Sequence, residues 1–197
     1  MPSVDRELSQ VLERMDYGRA LKAELLMNKR PESWVPYAQP LLDAVALFDE
    51  LNIGYALIGG IAAMYYGRAR FTEDVDFVAV TGHMDIFAAH PNELEKHHFS
   101  PDCVHKLYHK SGIQVDLQKD EHADAIVRNA VAIELAGRSI RIIEPHDLIA
   151  MKLRAGRLKD DYDIAEILLN TAIDLDRLGA MVTADEMQHL NEIRKRS

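Results

Sequence analysis

The run Asp74-Val75-Asp76-Phe77-Val78-Ala79 restricts this chain more than any other stretch. In an extended strand alternate side chains leave opposite faces, so Asp74, Asp76 and Val78 share one face and Val75, Phe77 and Ala79 the other. The two carboxylates then stand about 6.6 Å apart on one face, a span over which they can share or flank a divalent cation. Like charges in close array on a sheet cost stability unless something offsets them. A third carboxylate is available nearby. In Ile113-Gln114-Val115-Asp116-Leu117-Gln118 apolar and polar residues alternate, which puts Asp116 on the polar face of a neighbouring strand. All three are hard oxygen donors, suited to magnesium or manganese.

Upstream, Tyr55-Ala56-Leu57-Ile58 reads as a short strand that stops at Gly59-Gly60, followed by a helix from Ile61 to Tyr66 and a stop at Gly67. Two glycines before a helix N-terminus let the backbone approach phosphate oxygens that a Cβ would obstruct, and the free helix amides donate to them. Three carboxylates can hold two ions, one activating an attacking oxygen and one stabilising a leaving pyrophosphate. Phosphoryl or nucleotidyl transfer is the implied reaction class.

The rest of the chain reads as helices and hairpins. Leu8, Val11, Leu12 and Met15 fall at helical spacing, continued by Leu21, Leu25 and Leu26, and Leu41 to Leu51 forms a second amphipathic helix. Between them Pro31, Pro36 and Pro40 mark a linker that carries Trp34. A helical stretch is expected within Met84 to His98, interrupted by Pro91. Val104–Tyr108 and Ile113–Leu117 read as a hairpin turning through Gly112, and Ile140–Ile143 as a further strand. Pro145 opens a helix that stops at Gly156, another follows Asp160, and Thr183 with Glu186 forms a capping box for a last helix.

Composition excludes several classes. The 197 residues are 48% hydrophobic and 28% charged, which argues against collagen-like and wholly disordered chains. No apolar run reaches membrane-spanning length and the start lacks a secretory pattern, so no membrane role and a cytoplasmic address are expected. The net charge of -9, from 32 acidic and 23 basic residues, argues against general DNA binding. Cys103 is the only cysteine, so there is no internal disulfide, and an idle thiol is the better reading of it. His105 and His109 are four apart, but that spacing suits zinc on a helix and these residues read as strand.

Ile58-Gly59-Gly60, 13 intervening residues and Asp74-Val75-Asp76-Phe77 resemble the signature of the nucleotidyltransferase superfamily, with its polymerase-beta-like fold. The resemblance extends over Gly67 to Glu73, Val115-Asp116-Leu117, Asp147 to Leu153 and Gly156 to Asp163. The last part is similar to small bacterial nucleotidyltransferases related to abortive-infection and toxin-antitoxin proteins. It implies an α+β domain over residues 41–197, with a mixed β-sheet, helices mainly on one face and helices at both termini. Residues 1–40 would be a helical extension and linker. It further implies Gly59 and Gly60 for phosphate, Asp74, Asp76 and Asp116 for metal and catalysis, and Lys152, Lys159 and Asp163 as groups on the substrate side. The Lys152 ammonium would neutralise nucleotide phosphates.

Plainer readings stand beside these. Arg68 and Arg70 are either solvated strand-edge charges or a triphosphate clamp. Lys152, between Met151 and Leu153, reads structurally as a residue of an exposed helix face. Lys159, Asp160, Asp161 and Asp163 read equally as the charged start of a helix. The expected activity is magnesium-dependent transfer of a nucleoside monophosphate from a nucleoside triphosphate to a hydroxyl or phosphate on a small molecule, RNA or protein. The alternative is a catalytically quiet antitoxin or assembly module that docks a protein partner through residues 1–40.

Overall fold

The computed structural model describes residues 8–16, 37–67, 72, 74–80, 86–103 and 106–196. The readings made for Leu21 to Pro36, for Trp34, Arg68, Arg70 and His105, and for the side chain of Cys103 lie outside the described residues.

Helix α1 covers residues 8–16. Its apolar stripe, Leu8, Val11, Leu12 and Met15, is buried in the same core as the rest of the chain. Helix α2 (Ala38–Glu50) buries Leu41, Ala44, Val45 and Phe48. Then follow β1 (Tyr55–Leu57), α3 (Gly59–Tyr66), β2 (Asp74–Ala79), a 3-10 turn (Ile86–Ala89) and α4 (Pro91–Lys96). Next come β3 (Phe99–Cys103), β4 (Lys106–His109), β5 (Gln114–Gln118), α5 (Ala123–Asn129), β6 (Val131–Leu135) and β7 (Arg138–Ile142). The C-terminal part is helical: α6 (Pro145–Ala155), α7 (Leu158–Asn170), α8 (Leu175–Gly179) and α9 (Ala184–Arg196).

The strands form one mixed sheet in the order β3-β4-β5-β2-β1-β7-β6. β2 runs parallel to β5 and antiparallel to β1, while β1 is parallel to β7. This is the expected α+β mixed sheet. The face of β2 that carries Phe77 packs on α2: the Phe48 ring meets Phe77 edge-on at 5.0 Å, with Tyr55 and Phe87 at 5.2 and 6.1 Å. Such tilted and edge-on pairs add to the burial of large rings and fix α2 against the sheet. The aspartate face is left for α3, α6 and α7, which pack on one another there, with α9 against α6 and α7.

Caps place the C-terminal helices. Glu144 accepts from the backbone N–H groups of His146 and Asp147 and so opens α6, with Pro145 in its first turn. Gly156, at φ 60°, closes it in the left-handed conformation. Thr183 and Glu186 bond reciprocally ahead of α9, as a capping box requires.

Three local expectations are corrected. The α3 bounds begin at Gly59, not Ile61, so the glycine pair forms the first turn of the helix. Pro91 starts α4 instead of interrupting a longer helix, since its missing N–H is one that a helix N-terminus leaves unbonded anyway. β3, α5, β6 and α8 are additional elements that the sequence reading passed over.

Candidate active site

β2 and β5 place the aspartates. Their parallel register sets Asp74 beside Gln114 and Asp76 directly beside Asp116. One carboxylate oxygen from each of Asp74, Asp76 and Asp116 lies within 4.8 Å of the others. The three line a cavity of about 200 Å³ together with Gly59 and Gly60 from the start of α3 and Met151 and Lys152 from α6. Arg157, Lys159 and Asp160 complete the wall from the start of α7.

Among the described residues the side chains that donate hydrogen bonds to the carboxylates are neutral. Thr72 Oγ1 donates to Asp74 Oδ1 at 2.8 Å, Gln118 Nε2 to Asp76 Oδ1 at 2.7 Å, and Gln114 Nε2 to Asp116 Oδ1 at 2.5 Å. Lys106 stands 3.8 Å from Asp116 Oδ2 and is 44% exposed, a distant partner that solvent screens. Neutral donors orient a carboxylate without cancelling its charge. Among the described residues the charge is therefore left largely facing the cavity.

Asp76 bears most of the strain. Burial pushes its carboxyl up to about 6, the charges of Asp74 and Asp116 add to the rise, and the hydrogen bonds from Gln118 and the Gly60 N–H oppose it. An all-oxygen set of three closely spaced acids, one of them held against ionisation, fits a hard divalent cation. Gly59 is glycine for a related reason. Its φ is +65°, and a Cβ there would land on the Asp76 carboxylate.

Behind the cavity wall α6 and α7 are joined by a buried ionic cluster. Lys152, 5% exposed, points its Nζ at Asp163 Oδ2 (2.6 Å) and Asp160 Oδ1 (3.2 Å). The fully buried Asp160 also accepts from Arg157 Nε at 2.6 Å and Nη2 at 3.2 Å. Burial works to raise the Asp160 carboxyl, but Arg157 and Lys152 outweigh it and hold it below its ordinary value. The same hydrogen bond to Asp160 raises Arg157. Among the described residues this cluster brings Lys152 and Arg157 onto Asp160 and Asp163.

The sequence signature of the family described as nucleotidyltransferase of unknown function (DUF6036) matches residues 42–197. The chain belongs to that family. Among solved structures, an antigenic nucleotidyltransferase-like protein from Paracoccidioides brasiliensis has the same fold, at a TM-score of 0.53 and 20% identity over 81% of this chain and 88% of its own. Lincosamide antibiotic adenylyltransferase LnuA, lincomycin-bound, matches at a TM-score of 0.46 and 16% identity over 68% of this chain and 97% of its own. ANT(2")-Ia, in complex with adenylyl-2"-tobramycin, matches at 0.43 and 18% over 81% and 97%. No curated protein sequence matches the chain.

Within this family member, Gly59, Gly60, Asp74, Asp76, Asp116, Lys152 and Lys159 all line one cavity. Asp163 does not. It is 3% exposed, and its carboxylate is turned onto Lys152. Lys152 is likewise a buried residue and not one of an exposed helix face, because two acids on the facing helix receive its ammonium. His109 Nε2 lies 3.0 Å from Asp43 and its Nδ1 2.8 Å from Ser111. Thr72, Gln118 and Arg157 are cavity residues that the sequence reading did not single out. Gln118 carried a usable signal, since it continues the Gln114, Asp116 alternation. Among the described residues no helix is long and apolar enough to cross a membrane.

Proposed function

We propose that this protein is a nucleotidyltransferase that uses magnesium or manganese to move a nucleoside monophosphate from a nucleoside triphosphate to a hydroxyl or phosphate acceptor. One observation carries the reading: three aspartates on adjacent parallel strands converge within 4.8 Å, oriented by neutral donors, at the glycine-opened end of a helix. Asp74, Asp76 and Asp116 would hold the cation. When bound, it supplies positive charge at the phosphates and lowers the pKa of a coordinated oxygen.

The protein's own groups do the rest. The first turn of α3, at Gly59 and Gly60, offers backbone amides to phosphate oxygens at the positive end of a helix dipole. Arg157 and Lys159 bring cations to the opposite wall, where negative charge grows as pyrophosphate departs. The acceptor oxygen attacks the α-phosphorus, the bond from that phosphorus to the bridging oxygen breaks, and pyrophosphate leaves with its electron pair. The acceptor's proton passes to a cavity carboxylate or to water. Lys152 acts indirectly, by neutralising Asp160 and Asp163 and so keeping α7 against α6. A triphosphate donor implies a cytoplasmic reaction, on a small-molecule, RNA or protein acceptor.

The test is incubation with nucleoside triphosphates labelled at the α- or γ-phosphate, magnesium or manganese, and a cell lysate. Transfer of the α-label but not the γ-label, lost in Asp76→Asn, is the expected result. Label transfer from neither position, together with absent triphosphate binding, overturns the reading. Co-purification of a protein through residues 1–40 would then favour the quiet module.

A further inference from the structure

The residue that orients Asp74 is itself held from outside the region that the family signature covers. Thr72 stands two residues ahead of the first ladder pair of β2, so the sheet does not fix it. Its position is set by Tyr37, whose phenol donates to the Thr72 carbonyl at 2.9 Å. Tyr37 is 1% exposed, and its own N–H donates to Asp16 Oδ1 of α1 at 2.8 Å. Thr72 Oγ1 in turn donates to Asp74 Oδ1 at 2.8 Å. A chain of hydrogen bonds thus runs from α1 through Tyr37 and Thr72 to a carboxylate of the cavity. Both α1 and Tyr37 precede residue 42, where the family match begins.

We propose that Thr72 and Tyr37 are positioning residues for the metal centre, so that the N-terminal segment of this chain is a built-in brace of its aspartates. The proposal rests on the metal reading above. Gln118 and Gln114 lie in the β5 ladder and hold Asp76 and Asp116 with side chains on the sheet itself. Asp74, among the described residues, instead accepts from Thr72, whose carbonyl is held by a buried phenol. Hydrogen-bonded partners behind metal-ligating carboxylates set ligand orientation, and their removal typically weakens metal binding by about 10- to 100-fold.

The experiment is calorimetric titration of the full-length protein with Mn²⁺ alone, so that no substrate contact of Thr72 enters the result. Thr72→Val removes the hydroxyl at nearly constant shape, Thr72→Ser keeps it, and Tyr37→Phe removes only the phenolic oxygen. Asp76→Asn reports whether Mn²⁺ reads the aspartates. Melting curves in EDTA accompany each variant. Thr72→Val and Tyr37→Phe are expected to weaken Mn²⁺ binding by about tenfold, with Thr72→Ser close to wild type. Wild-type affinity in both, whether or not they melt earlier, assigns a merely structural role and overturns the proposal while leaving the metal reading intact. A wild-type protein that binds no Mn²⁺ overturns the metal reading, and this inference with it.

Discussion

Asp76 and Asp116 sit directly beside one another on parallel strands, so the two carboxylates point into the same cavity at the same height. No rearrangement of the sheet can separate them without breaking the β2–β5 ladder. The repulsion is therefore built into the fold, and it falls most heavily on the buried member.

That repulsion predicts a pH dependence in the metal-free protein. Asp76 has a folded-state value of about 6, above its ordinary 3.8, so the native state binds this proton more tightly than the unfolded chain. Its contribution to stability is greatest below the unfolded value and is lost as pH rises from about 4 to about 6. The full difference is up to about 3 kcal/mol, roughly half of it recovered at pH 5. Asp76→Asn should therefore be more stable than wild type in EDTA at pH 7.5, with the advantage shrinking toward pH 5. Urea denaturation at the two pH values checks it; equal stability at pH 7.5 counts against a strained carboxylate.

Gly59→Ala tests the approach of helix to strand. The substitution forces a side chain onto a backbone at φ +65° and drives its Cβ into the Asp76 carboxylate. The left-handed conformation alone costs about 1–2 kcal/mol, and displacement of Asp76 adds to it. The expected outcome is a melting point lower by roughly 4 °C or more, with Mn²⁺ binding lost. A variant that melts and binds like wild type would show that the glycine is replaceable.

The main frame of the fold was legible because its signals are local. Alternation around Asp74 and Asp116 marks strands whose polar faces must agree, and Pro145 and Gly156 bracket α6. β6 had the same kind of signal, with Val131, Ile133 and Leu135 alternating ahead of a turn at Ala136 and Gly137, both at positive φ. As an edge strand it leaves most of its residues exposed, so that alternation marks no fully buried face. β3 was hidden by Pro101, which a sheet tolerates at such an edge. The site was legible only in its ligands. That Thr72 rather than an in-strand residue holds Asp74, or that Lys152 is enclosed by Asp160 and Asp163, depends on contacts between distant segments or facing helices.

Arg157 is expected to meet the triphosphate. Its side chain is 57% exposed at the cavity wall, yet its guanidinium is anchored through Nε and Nη2 to a fully buried acid. Such a two-point grip presents the cation in one orientation, which a lysine cannot reproduce. Arg157→Lys and Arg157→Gln should both weaken binding of a non-hydrolysable triphosphate by about tenfold, in line with the loss of one charge-assisted contact. Mn²⁺ binding without nucleotide should hardly change. Calorimetry with and without the triphosphate separates the two, and undiminished triphosphate affinity would remove Arg157 from the substrate side.

Lys152→Met distinguishes a buried brace from a phosphate contact. The Lys152 Nζ is 2.6 Å from Asp163 and 3.2 Å from Asp160, and all three side chains are nearly sealed from solvent. Arg157 still faces Asp160 in the variant, but Asp163 loses the ammonium that stands 2.6 Å from its carboxylate. Removing one member of a buried ion pair typically costs about 3–5 kcal/mol. The variant should therefore be clearly destabilised, and turnover should fall with the folded population as well as with any effect at the site. Adding Asp163→Asn removes the acid that faced Lys152, so the double variant should recover part of the lost stability. A full double-mutant cycle by urea denaturation measures the coupling. If Lys152→Met keeps wild-type stability and loses only triphosphate binding, the lysine contacts substrate directly and the brace is wrong.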